Sequence, residues 1–316
     1  MKKTWTYALA GGMLLALLAA GGCTRQSLDY RKAEGYVTVA LQWEEGYAPA
    51  GSRFYFYPEA GGEPLTYDCP PEGFRGQLPE GSYKMIVHNS DLRNVALRNE
   101  QRHETAELYV LPETEARSRP TRSECISQPD NIYLAAGFDQ GEKLDVSNRD
   151  TVEVSATPRS YVKRIRFRFE IKNCGPIASL EGTLSGISSS MFCATGQCSQ
   201  DAQSVNFAAS PLGEGNDYTA EITILELISD TGHNGTHLLE LDLLETGGTT
   251  RKIDIDLTET INRILDQSGG VIPVEIPLHI ALTLIGNTLN ASILPWNGGG
   301  TGGGETIKKR IKRPIC

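Results

Sequence analysis

Short segments in which apolar and polar residues alternate, each bounded by Gly, Pro or Asn, recur along most of the sequence. Successive side chains of a β-strand point to opposite faces, so this pattern is typical of strands that bury one face. The clearest case is IRFRFEI at 165–171, where apolar residues alternate with charged ones. This segment predicts a half-buried antiparallel strand.

Segments of this kind form two groups. The first group covers 35–43, 52–58, 81–89 and 105–111, and the second covers 161–173, 218–227, 237–245, 251–258, 274–284 and 289–296. Helical periodicity is confined to 258–270, where Thr258 can cap a helix and Gly269 can end it. The sequence therefore predicts a mainly β fold. It consists of two tandem β-sandwich domains, with Greek-key connections as the default and one short helix in the second domain.

The N-terminal segment has the features of an export signal. Two lysines precede an apolar stretch over 7–20, which is too short to span a membrane comfortably. Small residues then lead directly into Cys23, an arrangement that resembles a bacterial lipobox, although Ala20 stands where Leu is usual. The resemblance implies that residues 1–22 are a lipoprotein signal peptide and that Cys23 is acylated, which ties the protein to membrane lipid. A plain signal peptide followed by an incidental cysteine is the alternative.

These features divide the chain into five parts. After the signal peptide, we predict a linker over 23–34, an N-terminal sandwich over 35–157 and a C-terminal sandwich over 158–297. Residues 298–316 form a predicted flexible tail, Gly-rich at first and basic at its end. The formal net charge of −9 gives the chain no general affinity for nucleic acid. The basic tail is either a solvated segment or a contact for phosphate-bearing lipopolysaccharide or an acidic partner.

Because the chain carries a predicted export signal, its cysteines can form disulfides, which persist in exported compartments. With Cys23 acylated, six cysteines remain, and six can pair in 15 ways. The spacing in CATGQC allows Cys193 and Cys198 to close a local disulfide, which we predict. A zinc site would need a second ligand pair at matched spacing, and the sequence has none.

The sequence offers no constellation typical of catalysis. It lacks a Gly-x-Ser-x-Gly elbow, and its Gly-rich run near residue 300 precedes no helix that could hold a phosphate. His233 and His237 have the spacing of metal ligands but lie in a Gly-containing turn, where a solvated loop is the simpler interpretation. We therefore expect no enzyme activity, no cofactor and no metal.

Several segments of the sequence together resemble a known family of proteins. The lipobox, the segments 78–112 and 128–136, the opening of the second domain at 161–171 and the ending ILPWNGGGTGGG together resemble the fimbrillin-type lipoproteins of Bacteroidales. More narrowly, the chain resembles a branch without an assigned role that is related to the minor fimbrial anchor subunits. The resemblance implies transthyretin-like sandwiches and attachment to the outer membrane at the cell surface through Cys23. It also implies a structural role as a fimbrial (pilus) anchor or accessory subunit, which contacts fimbrillin-type subunits by strand addition.

The resemblance also draws attention to possible cleavage positions, to the last predicted strand and to Thr151. Polymerising subunits of this kind lose their first strand to an arginine-specific protease, whereas anchors keep it. By residue type alone, Arg25, Arg31 and Arg53 are candidate cleavage positions. The last predicted strand, 289–296, is either a donor strand or an ordinary sandwich strand. Thr151 lies in the tripeptide DTV, which resembles an O-glycosylation motif of Bacteroidetes, although an ordinary strand start explains it equally well.

An alternative function is a surface adhesin, a module that binds glycan or protein. Its candidate platform would be Trp43, Tyr55, Tyr57 and Trp296, provided that they are exposed together. Alternation along the strands favours buried positions for most of these rings. An exposed aromatic patch would support the adhesin, and an open sheet edge would support the fimbrial subunit.

Overall fold

The computed structural model describes residues 33–113, 125–213, 215–228, 236–269 and 273–294. The strands of the first half are β1 (Glu34–Leu41), β2 (Ser52–Pro58), β3 (Leu65–Cys69), β4 (Gly73–Pro79), β5 (Gly81–Asn89), β6 (Val95–Arg98), β7 (Glu107–Val110), β8 (Cys125–Ile126), β9 (Tyr133–Ala136), β10 (Lys143–Val146) and β11 (Thr151–Ala156). The second half contains β12 (Arg159–Ser160), β13 (Lys163–Lys172), β14 (Ile177–Ser188), β15 (Ser190–Phe192), β16 (Ala202–Pro211), β17 (Asp217–Ile224), β18 (Leu238–Glu245), β19 (Thr250–Asp256), α1 (Thr258–Gln267), β20 (Glu275–Ile285) and β21 (Thr288–Leu294).

The first half folds as a sandwich of two sheets. A three-stranded sheet, β11-β1-β4, faces a sheet of order β12-β9-β5-β2-β3, to which β10 adds through β5. Apolar side chains from both sheets fill the space between them, namely Val37, Val39, Phe54, Phe56, Phe74, Leu78, Met85 and Val87. Because β1 pairs antiparallel with β4 and parallel with β11, the first strand is the central strand of its sheet.

The second half is a larger sheet that packs against itself. Its order is β19-β18-β14-β16-β17-β13-β20-β21, with β8 added to β16. The turning point lies between β16 and β17, which share only two residue pairs. Across the resulting core, the buried ring of Phe167 stacks on Phe207 with centroids 5.0 Å apart and lies 5.7 Å from Phe169. Aromatic and aliphatic burial of this kind drives the two layers together.

The two halves share a core. Along β2, Phe54 and Phe56 enter the first sandwich, whereas Tyr55 and Tyr57 point the other way into the core that continues through the second half. Strands β6 and β7 extend the contact, since β7 pairs with β15 in a separate three-stranded sheet. Segments on both sides of residue 157 therefore build this junction, and the division of the chain at that residue stays a prediction.

The predicted fold class is confirmed. Strands β2 and β5 begin and end at the predicted residues, because Gly51 and Pro58 bound β2, and Gly81 and Asn89 bound β5. Strand β14 was missed, since its small and polar residues give little β signal. The helix also differs in one detail. It begins at Thr258, so its N-cap is Leu257, and the Thr258 hydroxyl accepts the backbone N–H of His237 rather than capping the helix.

Candidate functional site

The first strand is held on both edges. It pairs with β4 from Glu34 to Ala40 and with β11 from Tyr36 to Leu41. Just outside the ladders, the backbone N–H of Gln42 donates to the carbonyl of Ala156 at 3.0 Å. Val37 and Val39 are almost completely buried on its inner face. Removing β1 would break two ladders and open the core, so this strand is an integral part of the sandwich.

The predicted lipid site lies outside the described residues. Cys23 and the signal peptide precede residue 33, as do Arg25 and Arg31. Arg53 lies inside β2, where it pairs with Asp68 of β3 and His88 of β5. A protease would have to unfold the sheet to reach its backbone. Within the described ranges, no helix combines the length and apolar character needed to cross a membrane.

The two cysteines predicted to pair carry free thiols in this structure. The backbone of Met191 forms an antiparallel bridge with that of Cys198. Cys193 is two residues further along the chain than Met191, so it is not the residue directly opposite Cys198. Burial raises the pKa of each thiol to about 12, which keeps both protonated at neutral pH. The disulfide stays a prediction.

Thr151 lies at the start of β11 with an exposed side chain. Directly across the parallel ladder is Tyr36 of β1, whose side chain is 56% exposed. The hydroxyl of Thr151 is therefore on the accessible outer face of the first sandwich. Its O-glycosylation stays a prediction.

The described histidines of the second half, His237 and His279, are buried. His237 is fully buried immediately before β18 rather than solvated in a loop, and His233 lies outside the described residues. His279 of β20 contacts the carboxylate of Glu170 at 2.8 Å. In the described part of the chain, no three His, Cys, Asp or Glu side chains form a metal-ligand set.

His88 gives a prediction for pH dependence. Its ring is 4% exposed, and burial lowers its pKa from 6.5 to about 4. The unfolded state therefore binds the proton more tightly, and His88 stabilises the fold above pH 6.5 and loses this effect as the pH falls toward 4. We expect the free energy of unfolding to drop by about 2 kcal/mol from this group between about pH 7.5 and about pH 5.

Urea unfolding at both pH values measures this drop. The variant His88→Gln cannot titrate, so its free energy of unfolding should change less with pH by that amount. An identical pH dependence in the two proteins would contradict the assignment to His88.

The aromatic residues of the predicted platform do not come together. Tyr55 and Tyr57 are buried at the junction of the two halves, and Trp296 lies outside the described residues. Trp43 instead packs edge-on against Tyr47 and Tyr133, with ring centroids 5.8 and 6.3 Å away. Neither tyrosine was predicted from the sequence, although Tyr47 follows Trp43 closely in the turn WEEGY.

A polar network crosses the junction near β7 and β15. The guanidinium of Arg98 donates two hydrogen bonds to the carboxylate of Glu107, at 2.7 and 2.8 Å. The hydroxyl of Ser190, from the second half, donates to the same carboxylate at 2.5 Å. Mainly because of Arg98, the pKa of Glu107 is lowered, so this almost fully buried carboxylate is ionised at neutral pH.

The last described strand is an ordinary member of its sheet. β21 pairs antiparallel with β20 from Thr288 to Leu294 and ends the strand order on that side. β11 likewise ends its own sheet, beyond β1. Edge strands offer backbone groups to which another chain can add a strand.

Comparison with known proteins places this fold in a family. A family model described as a domain of unknown function, DUF5119, matches residues 22–208, which is more than half of the chain. The chain belongs to the DUF5119 family. A relative of this DUF5119 protein, named "Putative fimbrium anchoring subunit Fim4B", comes from Bacteroides ovatus. It is 24% identical over 276 residues, which cover 82% of this chain and 81% of the relative.

Solved structures share the fold of the DUF5119 protein. A "putative adhesin" from Bacteroides ovatus aligns with a TM-score of 0.60 and 23% identity, over 77% of this chain and 89% of that chain. One of the "putative polysaccharide binding proteins" from Bacteroides thetaiotaomicron aligns with a TM-score of 0.51 and 10% identity, over 88% and 99% of the two chains. The relationship to fimbrial anchor proteins drawn from the sequence is confirmed at the level of the family and its relative.

Proposed function

We propose that the DUF5119 protein is an anchor or accessory subunit of a fimbrium, held in the outer membrane by acylated Cys23 and displayed at the cell surface. It acts structurally, through contacts between strands of neighbouring subunits, and carries out no catalysis. The similarity to the relative named as a fimbrium anchoring subunit extends over 82% of the chain, which supports a role of the whole protein in such an assembly.

The observation that carries the proposal is the position of β1. This strand begins soon after Cys23 in sequence and is paired on both edges. A pull from the membrane on its N-terminal end therefore acts along two hydrogen-bond ladders at once. Such shear loads many hydrogen bonds together, which suits a subunit that must transmit force from a fimbrium to a lipid anchor.

The partner in this proposal is a fimbrillin-type subunit. Contacts would form by strand addition at an open sheet edge such as β11, where backbone hydrogen bonds supply affinity and alternate side chains supply register. The predicted O-glycosylation of Thr151 would place a sugar at the start of β11 and so belongs to the same proposal.

Co-purification tests the proposal. Outer membranes are solubilised from cells that carry the native protein or the Cys23→Ala variant, and proteins that accompany it are identified by mass spectrometry. We expect fimbrillin-type subunits with the native protein, and loss of the variant from the membrane fraction. The control is Cys174→Ala, which removes a half-buried cysteine from the folded part and should behave as native. A native protein that purifies alone would overturn the proposal.

The second candidate function is a surface adhesin. The observation that favours it is the ring cluster of Trp43, Tyr47 and Tyr133, in which Trp43 and Tyr47 are half-buried, since aromatic side chains at a surface are common in binding sites. An adhesin and a fimbrial subunit are compatible, because a protein displayed at the surface can perform both roles.

A further inference from the structure

Three rings meet on one side of the first sandwich, next to the junction with the second half. The rings of Tyr47 and Tyr133 are stacked, with centroids 3.9 Å apart and planes 13° from parallel, and Trp43 packs edge-on against both. Tyr133 is nearly buried, whereas Trp43 and Tyr47 are half-buried. Part of this ring cluster is therefore open to solvent.

The rings are fixed in place by their polar atoms. The indole N–H of Trp43 donates to the carbonyl of Pro71 at 2.6 Å. The hydroxyl of Tyr133 donates to Glu44 at 3.0 Å, and that of Tyr47 donates to Asp91 at 3.2 Å. A rigid ring surface loses little conformational entropy when a ligand binds, which is why such aromatics are effective binding elements.

Carboxylates form the rim of this surface. Glu44 and Asp91 are both exposed, and each bonds to a tyrosine hydroxyl through one oxygen. A carboxylate offers about four acceptor sites, so both retain capacity for further hydroxyl donors. The fully buried Asn89 holds Asp91 in position through a 2.8 Å hydrogen bond and also accepts the backbone N–H of Tyr133.

We propose that the surface formed by Trp43, Tyr47, Tyr133, Glu44 and Asp91 is a binding site for neutral carbohydrate. A sugar ring presents an apolar C–H face that packs on an aromatic ring and hydroxyls that donate to carboxylates, and this site offers both partners side by side. The proposal names the ligand class of the second candidate function, the surface adhesin, and rests on it; it is independent of lipid anchoring and of assembly into a fimbrium.

The charges of the rim disfavour other ligand classes. Phosphates and acidic sugars would meet three exposed carboxylates, those of Glu44, Glu45 and Asp91, although Arg164 is close enough for its charge to act on Tyr133. A cage for a quaternary ammonium group needs rings that surround an empty space. Here Tyr47 and Tyr133 stack directly on each other, so they form a platform rather than a cage.

Titration of the purified full chain with cellobiose, lactose, mannobiose and glucuronic acid tests the site by calorimetry and by saturation-transfer NMR. We expect at least one neutral disaccharide to bind and glucuronic acid not to bind. Tyr47→Ala and Glu44→Gln should each weaken binding about tenfold, equivalent to about 1.4 kcal/mol. Tyr47→Phe keeps the ring but loses the hydrogen bond to Asp91, so its affinity should lie between those of the native protein and Tyr47→Ala, which separates loss of the platform from loss of a hydrogen bond.

The matched control is Tyr36→Ala, which removes another accessible tyrosine, 56% exposed, from the outer face of β1. It should bind as the native protein does. The proposal is overturned by any of three results: no neutral disaccharide binds in the millimolar range, Tyr47→Ala binds like the native protein, or Tyr36→Ala weakens binding to the same degree. Thermal unfolding of every variant confirms that the compared proteins are folded.

Discussion

Replacing Gly73 with alanine should lower the free energy of unfolding by about 3 kcal/mol or more and loosen β1 from the sandwich. Gly73 begins β4 with a φ of +123°, a conformation that side chains rarely adopt. A Cβ at this position would overlap the carbonyl oxygen of Val39 on β1. Because that oxygen belongs to the backbone of a paired strand, it cannot move aside without disturbing the ladder.

Gly61 provides the control for this prediction. Its φ of +87° is also positive, but a Cβ there meets no atom within 4 Å. Gly61→Ala should therefore cost only the backbone strain, about 1 kcal/mol. Urea unfolding measures both losses, and limited proteolysis shows whether β1 is released. Equal losses in the two variants would contradict the close packing of β1 on β4.

The second large effect is expected at the junction. Glu107→Ala should lower the free energy of unfolding by about 3 kcal/mol, because it leaves the buried hydroxyl of Ser190 without its acceptor and removes both bonds to Arg98. The side chain of Arg98 is 51% exposed, so water can solvate the freed guanidinium. The loss therefore lies near the lower end of the range for broken buried pairs.

Glu104 is the matched control. Its carboxylate lies 3.0 Å from the ammonium of Lys84, a short ion pair like that of Glu107, but it is 66% exposed. Glu104→Ala should cost less than about 1 kcal/mol, since water screens such pairs. Chemical denaturation measures the loss in the free energy of unfolding for each variant. A cost for Glu107→Ala no greater than that for Glu104→Ala would show that the network does not hold β7 to β15.

Local sequence was sufficient for much of the fold. Strand β13 alternates strictly from Ile165 onward, so the burial of one of its faces follows from the pattern. The parallel pairing of β1 with β11 and of β13 with β20 could not be derived, because each joins segments about a hundred residues apart with no local turn to fix the register. Strand β14 was hidden by its Ser, Gly and Thr residues.

The candidate site was only partly accessible from sequence. Trp43 was predicted as one of four aromatic residues that could form a binding platform, but its proposed partners Tyr55 and Tyr57 are buried. Both faces of β2 are covered, one by each core. The sequence pattern alone does not distinguish such a strand from one with a solvent-exposed face. Tyr133, which stacks on Tyr47, is 86 positions further along the chain, so only the folded structure could reveal the contact.

A fimbrium that this DUF5119 protein anchors should stay with the cell, so the distribution of fimbrial subunits between cells and medium tests the anchor role. Cells that carry the native protein are compared with cells that carry Cys23→Ala, and the subunits in the cell pellet and in the medium are quantified. The proposal predicts that fimbriae stay with cells carrying the native protein and are shed into the medium by the variant. Fimbriae that remain on the Cys23→Ala cells would contradict the proposal. So would the absence of fimbriae from cells that carry the native protein.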